Sequence, residues 1–217
     1  MKNAIIIGAG SGISLGVAKR FGSEGFHISL ISRNEKKLQD LVATLQHSDI
    51  VADYYIADVS DKLALQNAIE TSIQKNAYPD LVLYNASAIH IKDILLENWT
   101  MIQTCFDICT GGAFHTAQII LPEMLKHNSG RLFFTGGGTA LKGESMFASL
   151  SIGKAGMRNL VQALVQKAKD SNVHVAQLTV CGKVDPADIK YKPETIAEEY
   201  WKLYQQEPGS YVHEVIY

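Results

Sequence analysis

Three glycines at alternate positions follow the first apolar run of the chain, and this turn constrains the fold more than any other segment. Residues 4–7 have the pattern of a buried strand, and residues 17–21 have the spacing of a helix. The turn and the start of the helix comprise Gly8, Gly10, Ser11, Gly12 and Ile13. Glycines let backbone N–H groups approach a diphosphate, and a helix N-terminus directs its positive dipole end at the same anion. The segment predicts dinucleotide binding, with a purely structural turn as the alternative.

The rest of the chain alternates short β-branched runs with longer segments of helical spacing. We predict strands at residues 4–7, 27–32, 51–57, 81–84, 130–135, 174–180 and 211–216. Long helices are expected at 99–127, where Pro122 predicts a kink, around 157–168, and from Pro193 onward. This rhythm predicts the α/β class, with a parallel sheet covered by helices on both faces. No linker or repeat interrupts it, so residues 1–217 are expected to form one domain.

The composition of the chain excludes several classes of function. The 217 residues are 47% hydrophobic, enough for one sizeable core, and the net charge of −2 provides no basic field for nucleic acid. The longest purely apolar run is far below the roughly 20 residues that cross a bilayer, and no secretory signal is apparent, so a cytoplasmic protein is expected. The odd number of cysteines argues against a disulfide framework and favours reduced thiols.

The end of the second predicted strand bears on which dinucleotide is bound. An acidic residue there would bind the ribose hydroxyls of NAD, but the chain has Ser32 and Arg33. Arginine pairs with the 2′-phosphate of NADP, and Lys37, one helical turn later, is a candidate helper. The sequence therefore favours NADP over NAD. The alternative is that Arg33 is an ordinary solvated surface charge.

Together these segments resemble the short-chain dehydrogenase/reductase family over nearly the whole chain. Gly8 and Gly12 match the family's glycine pattern, with Ser14 in place of its third glycine. Asp58 and Val59 resemble the family's adenine-contacting pair. Asn85, Ala86 and Ser87 resemble its N-A-G motif, with Ser87 in place of the glycine, so the resemblance implies that all five residues bind the cofactor. The resemblance implies a Rossmann-type doubly wound sheet of order 3-2-1-4-5-6-7. It also implies a homodimer or homotetramer formed through the helices at 99–127 and 153–170.

The catalytic positions depart from the family. Lys154 matches the lysine that binds the nicotinamide ribose, but the resemblance places Leu150 at the proton-donating tyrosine, Gly137 at the serine and Cys109 at the asparagine. Candidate replacements for the missing acid are Thr139, Cys109, His90 and Lys92, each weak when taken alone. Cys105 and Cys109 share a helix face, but packing is favoured over metal binding there, and no metal site is expected.

Three functions follow, in decreasing order of support. The first is an NADP-preferring oxidoreductase with altered catalytic residues, acting on a carbonyl or alcohol that the sequence does not identify. The second is a non-catalytic NAD(P)-binding regulatory protein. A distant third is an α/β-hydrolase, because Ser14 lies in a G-x-S-x-G pattern and Asp185 and His213 follow in triad order. The short polar segment 185–192, where the family usually inserts a lid, predicts an open substrate side.

Overall fold

Strands and helices alternate along the chain in the computed structural model, which describes residues 1–217. The strands are β1 (Asn3–Ile7), β2 (His27–Ser32), β3 (Ala52–Ile56), β4 (Leu81–Tyr84), β5 (Gly130–Gly137), β6 (Val173–Val180) and β7 (Glu214–Ile216). The helices are α1 (Ile13–Gly22), α2 (Glu35–Gln46), α3 (Lys62–Asn76), α4 (Trp99–Phe106), α5 (Gly112–His127), α6 (Ala148–Ala168) and α7 (Pro193–Tyr204). A π-helical turn, Asp107–Gly111, joins α4 to α5, and a 3₁₀ turn, Gly138–Ala140, follows β5.

All seven strands form one parallel sheet in the order β3-β2-β1-β4-β5-β6-β7. The predicted α/β class and strand order are thereby confirmed. The order reverses between β1 and β4, since the chain first builds outward from β1 to β3 and then returns to the other side of β1. Doubly wound sheets bind ligands at the carboxyl ends of the strands beside such a reversal.

Helices cover both faces of the sheet because its strands are apolar on both sides. In β1, Ala4 and Ile6 belong to a core that includes residues of α1, α2 and α7. Ile5 and Ile7 point the other way, into a core shared with α3, α5 and α6. Near-continuous apolar strands are expected wherever a parallel sheet is buried on both faces.

The long helical segment differs from its predicted form. The irregularity lies in the π-helical turn Asp107–Gly111, and α5 continues through Pro122 to His127. A π turn displaces the usual helical hydrogen bonds. Here the buried hydroxyl of Tyr84 donates to the carbonyl oxygen of Ile108. Gly112 makes room for this contact, because a Cβ there would collide with the Tyr84 hydroxyl. The sequence pattern, which predicted a kink at Pro122, did not indicate this π turn.

The ends of the sheet also refine the prediction. The last strand begins at Glu214 rather than at 211, because only Glu214–Ile216 pair with β6, while the Tyr211 ring stacks on His174 at 4.1 Å. No helix lies between Cys181 and Lys192, as the short segment predicted, so the carboxyl edge of the sheet lacks a helical lid. None of the helices combines the length and the apolar character needed to cross a membrane.

The contact between α1 and α7 provides a test of the fold. A Cβ at Gly16 would lie 2.5 Å from the carbonyl oxygen of Pro193, which is backbone and cannot rotate away. We expect Gly16→Ala to lower the free energy of unfolding by about 1–3 kcal/mol, measured by urea denaturation. Gly143→Ala is the matched control, because no atom lies within 4 Å of the added methyl group. Equal unfolding midpoints for the two variants would contradict the close α1–α7 contact.

Candidate functional site

The glycine turn after β1 is held in place by the strands on either side of it. Gly8 has a φ of +81°, and a Cβ there would overlap the backbone of Ala86. The N–H groups of Gly8 and Ala9 both donate to the carbonyl oxygen of Ile31, at 2.9 and 3.0 Å. Gly8 therefore shapes the turn, but its N–H is already used and does not face a ligand.

The N-terminus of α1 has unused donors. Gly12 is the N-cap residue, and no side chain caps the helix. The backbone N–H groups of residues 10–13 donate to no acceptor in the protein. A Cβ on Gly10 would meet no atom within 4 Å, so the space beside the turn is open. Unpaired N–H groups and the helix dipole at an open turn are the features that bind a diphosphate.

Ser14, in the position of the family's third glycine, points away from this space. Its side chain is buried, and its hydroxyl donates to the carbonyl oxygen of Gly8 at 3.1 Å and accepts from Nδ2 of Asn85 at 2.8 Å. His213 Nδ1 lies 2.8 Å from the Val175 carbonyl oxygen, and the Asp185 carboxylate accepts from the N–H of Ala187. The three residues form no triad, so the hydrolase alternative is wrong.

Two adjoining cavities extend from the glycine turn along the carboxyl ends of β1, β2 and β4. The first, of about 240 Å³, is lined by Gly8, Ala9, Ser32, Arg33, Ala57, Val59, Asn85, Ala86, Ser87 and Ile108. The second, of about 490 Å³, shares Ala9, Ser32 and Arg33 with the first and adds Gly10, Ser11, Asn34 and Lys37 among others. Ala57, Val59 and Ile108 give the first cavity an apolar side that suits a planar base, and Arg33 and Lys37 line the second. Predicted cofactor residues from four separate segments thus meet in one trough.

Asp58 contributes less directly than its predicted role implies, because it lines neither cavity. Its carboxylate accepts from the N–H and the hydroxyl of Ser60, at 2.9 and 2.7 Å. Burial alone raises the pKa of Asp58, but these hydrogen bonds and the nearby Arg33 lower it overall. The neighbouring Val59 does line the first cavity. Asp58 therefore shapes the turn that places Val59 there.

Arg33 and Lys37 place two positive charges at the second cavity. The Arg33 side chain is 65% exposed, and its single contact to Asp58 is long, at 3.4 Å. Such an exposed pair contributes little, so the guanidinium is free to reorient. Asn34 caps α2 by accepting from the N–H of Lys37 at 3.0 Å, which places these cations at a helix N-terminus. Asp40 also lines this cavity and partly offsets their charge.

Lys154 lies on α6 and lines neither cavity. It is 5% exposed, and its ammonium donates to the carbonyl oxygen of Thr135 on β5 at 2.7 Å. Burial lowers the pKa of this ammonium below its ordinary value. Leu150 lies one helical turn earlier on α6 and offers no titratable group. Cys109 is fully buried in the π turn, 3.9 Å from the Ser87 hydroxyl, so its thiol is packed rather than open to solvent.

The turn after β5 contains an unpaired hydroxyl. The Oγ1 atom of Thr139 is buried and has no hydrogen-bond partner in the protein. A Cβ built on Gly137 would lie 3.8 Å from this oxygen and within 4 Å of no other atom beyond its chain neighbours. Leaving a buried hydroxyl unpaired costs about 1–3 kcal/mol. Thr139 Oγ1 therefore lies buried beside Gly137 without a polar partner.

The sequence did not predict a polar cluster formed by His90, Glu97 and Ser149, which we call the Glu97 cluster. The buried carboxylate of Glu97 lies 2.6 Å from Nδ1 of His90 and accepts from the hydroxyl of Ser149 at 2.8 Å, both through Oε2. Ser149 immediately precedes Leu150. Burial by itself raises the pKa of Glu97, but the hydrogen bonds from His90 and Ser149 outweigh it and hold the pKa at about 2. His90, one of the candidate acids, is thus tied to a carboxylate beside the start of α6.

The remaining candidates play structural parts. Lys92 joins the loop to the entrance of α6 through its backbone, by a bridge to Phe147 and a hydrogen bond from its N–H to the Met146 carbonyl oxygen at 3.0 Å. Cys105, Cys109 and Cys181 are free thiols, and no group of three potential metal ligands is present. No sequence signal identified Glu97 or Ser149, because their contact joins residues 52 positions apart.

Comparisons with known proteins agree with this architecture. A family model described as short chain dehydrogenase matches residues 2–194. An uncharacterized oxidoreductase of Staphylococcus epidermidis is 27% identical over 187 residues, covering 85% of this chain and 78% of that protein. An uncharacterized oxidoreductase of Staphylococcus aureus is 26% identical over 208 residues, covering 91% and 88%.

Solved structures show the same fold over the whole chain. A short-chain dehydrogenase from Rhodopseudomonas palustris superposes with a TM-score of 0.88 at 26% identity, covering 100% of this chain and 97% of that one. A metagenomic short-chain oxidoreductase in complex with NADP superposes with a TM-score of 0.90 at 18% identity, covering 100% and 96%. At that lower identity the likeness concerns the fold alone.

The Glu97 cluster predicts a pH-dependent stability. The folded-state pKa of Glu97, about 2, lies below its ordinary value of 4.5. The carboxylate therefore stabilises the fold fully above pH 4.5, and this contribution disappears as the pH falls towards 2. We expect Glu97→Gln to lower the urea midpoint at pH 7 and to differ less from the unsubstituted protein at pH 3.5. Glu144→Gln, at an exposed carboxylate without a side-chain partner, is the control. A deficit independent of pH would contradict this assignment.

Proposed function

The chain belongs to the short-chain dehydrogenase family, and from that premise we propose that it is an NADP-preferring oxidoreductase whose proton-donating residues are altered. The observation that carries the proposal is the open N-terminus of α1, where the N–H groups of residues 10–13 lack acceptors. The two cavities beside it are lined by residues that the sequence predicted to bind the cofactor. The free N–H groups would hold the diphosphate. Val59, Ala86 and Ile108 would contact the base, and Lys154 would bind the nicotinamide ribose.

The preference for NADP rests on Arg33 and Lys37. Both side chains line the second cavity, and no acidic side chain stands at the end of β2 to bind the ribose hydroxyls of NAD. The long contact to Asp58 leaves Arg33 able to turn towards a 2′-phosphate. The NADP complex of the metagenomic oxidoreductase and the 5-hydroxy-NADP complex of an alcohol dehydrogenase from Thermococcus sibiricus support the same cofactor class for this fold.

Bound NADPH would supply a hydride, and the altered residues concern what happens at the substrate oxygen. Leu150 holds no proton to give, and Gly137 presents no hydroxyl. General acid catalysis is typically worth about 10²- to 10⁴-fold, so turnover of an ordinary ketone would be slow. The substrate side is open, because no helix separates β6 from α7. We therefore propose weak or narrow reduction of a small carbonyl compound, or the reverse oxidation.

The alternative is a non-catalytic NAD(P)-binding regulatory protein. The specific observation in its favour is Leu150, one turn from a buried Lys154 that donates to a backbone carbonyl. Both functions share the binding trough. They differ in turnover alone, and oxidation of NADPH in the presence of a panel of aldehydes and ketones discriminates between them.

We also propose that two or four copies of the chain associate through the helical face implied by the family. Phe106, Phe114 and Ile152 remain 41–44% exposed on α4, α5 and α6, and an apolar groove between α5 and α6 includes Leu121 and Leu164. Large exposed apolar patches mark protein interfaces. Sedimentation equilibrium is expected to show a dimer or tetramer, and Phe114→Glu to weaken it. A monomer at micromolar concentration would contradict this proposal.

Cofactor binding is tested by the stability of the folded protein. NADP at about 100 times its Kd is expected to raise the free energy of unfolding by about 2.7 kcal/mol, and NAD at equal concentration to do less. Arg33→Ser removes charge-assisted hydrogen bonds, so NADP affinity should fall about 10- to 100-fold while NAD affinity changes little. Lys36→Ser removes a charge from the same segment without touching either cavity and should alter neither affinity.

The possible failures of this test are distinct. If neither dinucleotide shifts the unfolding midpoint, cofactor binding is refuted. If NAD and NADP stabilise equally, or if Arg33→Ser and Lys36→Ser behave alike, binding stands and the NADP preference is wrong.

A further inference from the structure

We propose that the substrate carries an aliphatic chain on its carbonyl or carbinol carbon, and that exposed apolar side chains of residues 88–98, the segment between β4 and α4, bind this chain. The inference rests on the proposed function, because it names the substrate class of the same site. It assigns substrate recognition to the segment that follows β4, since the short segment 185–192 after β6 forms no helical lid.

The first observation is that this segment turns its apolar side chains towards solvent. Ile89, Ile91 and Leu95 are 69%, 63% and 90% exposed. Between the two isoleucines, His90 turns inward, and its Nδ1 lies 2.6 Å from Oε2 of the buried Glu97. Single exposed apolar residues are common, but a run of them marks a surface that binds apolar groups.

A second segment lies against the first and continues this surface. The N–H of Lys92 donates to the carbonyl oxygen of Met146 at 3.0 Å, and Lys92 and Phe147 form a parallel bridge. Side chains alternate between the two sides of paired extended chains, so Ile91 and Met146, each one residue earlier, share one side of the pair. Met146 is 45% exposed. These two side chains form an apolar patch, which we call the Ile91 patch.

The Ile91 patch lies between the cofactor trough and the start of α6. Ser87, at the beginning of the same chain segment, lines the first cavity. At the other end of the segment, Glu97 accepts from the hydroxyl of Ser149, which precedes Leu150 on α6. The two segments follow β4 and β5, which are neighbours in the sheet and end at its carboxyl edge. A substrate beside Leu150 therefore has the patch next to it.

Polar contacts hold the segment in this position. The Glu97 cluster joins it to α6, and the N–H groups of Leu95 and Leu96 donate to Oδ1 and to the carbonyl oxygen of Asp93, both at 2.9 Å. The apolar side chains are thus held outward before a ligand arrives, so binding needs little ordering of the chain. Each methylene group that a ligand buries against them lowers its dissociation constant about two- to fourfold.

The surroundings favour a substrate chain over other apolar occupants. Leu150 and Gly137 offer no side-chain hydrogen bond to a polar substituent, and Ser149 is already bonded to Glu97. A second copy of the chain is the main alternative occupant. The surface proposed for association lies on α4, α5 and α6, whereas the Ile91 patch lies on the two loops at the carboxyl edge of the sheet, where the trough opens.

The test measures binding rather than turnover. The dissociation constants of 2-butanone, 2-hexanone and 2-octanone are measured by ligand-observed NMR titration of protein saturated with NADP⁺, which cannot reduce a ketone. We expect the constant to fall about two- to fourfold for each added methylene group. Ile91→Ser should remove most of this dependence on chain length while keeping the NADP-induced increase in stability.

Val51→Ser is the matched control, because Val51 is 54% exposed before β3, at the opposite edge of the sheet, and its substitution should leave the chain-length dependence unchanged. If NADP stabilises the protein but affinity does not rise with chain length, or rises equally in Ile91→Ser, this inference is overturned and the cofactor proposal stands. Weaker self-association of Ile91→Ser in sedimentation equilibrium also overturns it, since the patch would then join copies. Absence of stabilisation by NADP refutes both proposals.

Discussion

The close approach of Gly8 to the backbone of Ala86 determines the geometry of the whole binding edge. A side chain at residue 8 would force the ends of β1 and β4 apart, and its φ of +81° is one that few other residues adopt. With glycine there, the N–H groups of Gly8 and Ala9 reach the Ile31 carbonyl oxygen, and the N–H of Asn85 reaches the Ile7 carbonyl oxygen at 2.8 Å. Three strand ends are thereby joined beside the start of α1.

The residues that shape this junction are different from those whose N–H groups remain free for a ligand. Ser14 and Asn85 brace the turn from inside through the Gly8 carbonyl oxygen, so the donors that remain free are those of residues 10–13. On the far side, Tyr84 reaches the π turn and Gly112 lies against Val59. The wall of the first cavity is therefore connected to the helix that carries Cys109. A displacement of the π turn would therefore move the wall of the first cavity at Val59.

The residues around Lys154 are arranged differently from those at the start of α1. Lys154 is buried and bonded to β5, yet one turn earlier the chain has Leu150, and the strand ends in Gly137. The polar groups around this gap are Thr139, whose hydroxyl lacks a partner, and the His90–Glu97–Ser149 cluster, in which each group has one. The free N–H groups thus lie at the start of α1, while the polar groups near the end of β5 are a buried lysine, an unpaired threonine hydroxyl and the paired His90–Glu97–Ser149 cluster.

The sequence by itself determined the α/β class, the glycine turn and the positive charges after β2. Each depends on short-range spacing, and the family resemblance added the strand order. Only the tertiary structure decided that Ser14 faces inward, that a π turn accommodates Tyr84, that Glu97 lies between His90 and Ser149, and that Thr139 is unpaired. The physical reason is distance along the chain. Glu97 and Ser149 are separated by 52 residues, so their contact arises from the packing of a loop against α6, which no local pattern records.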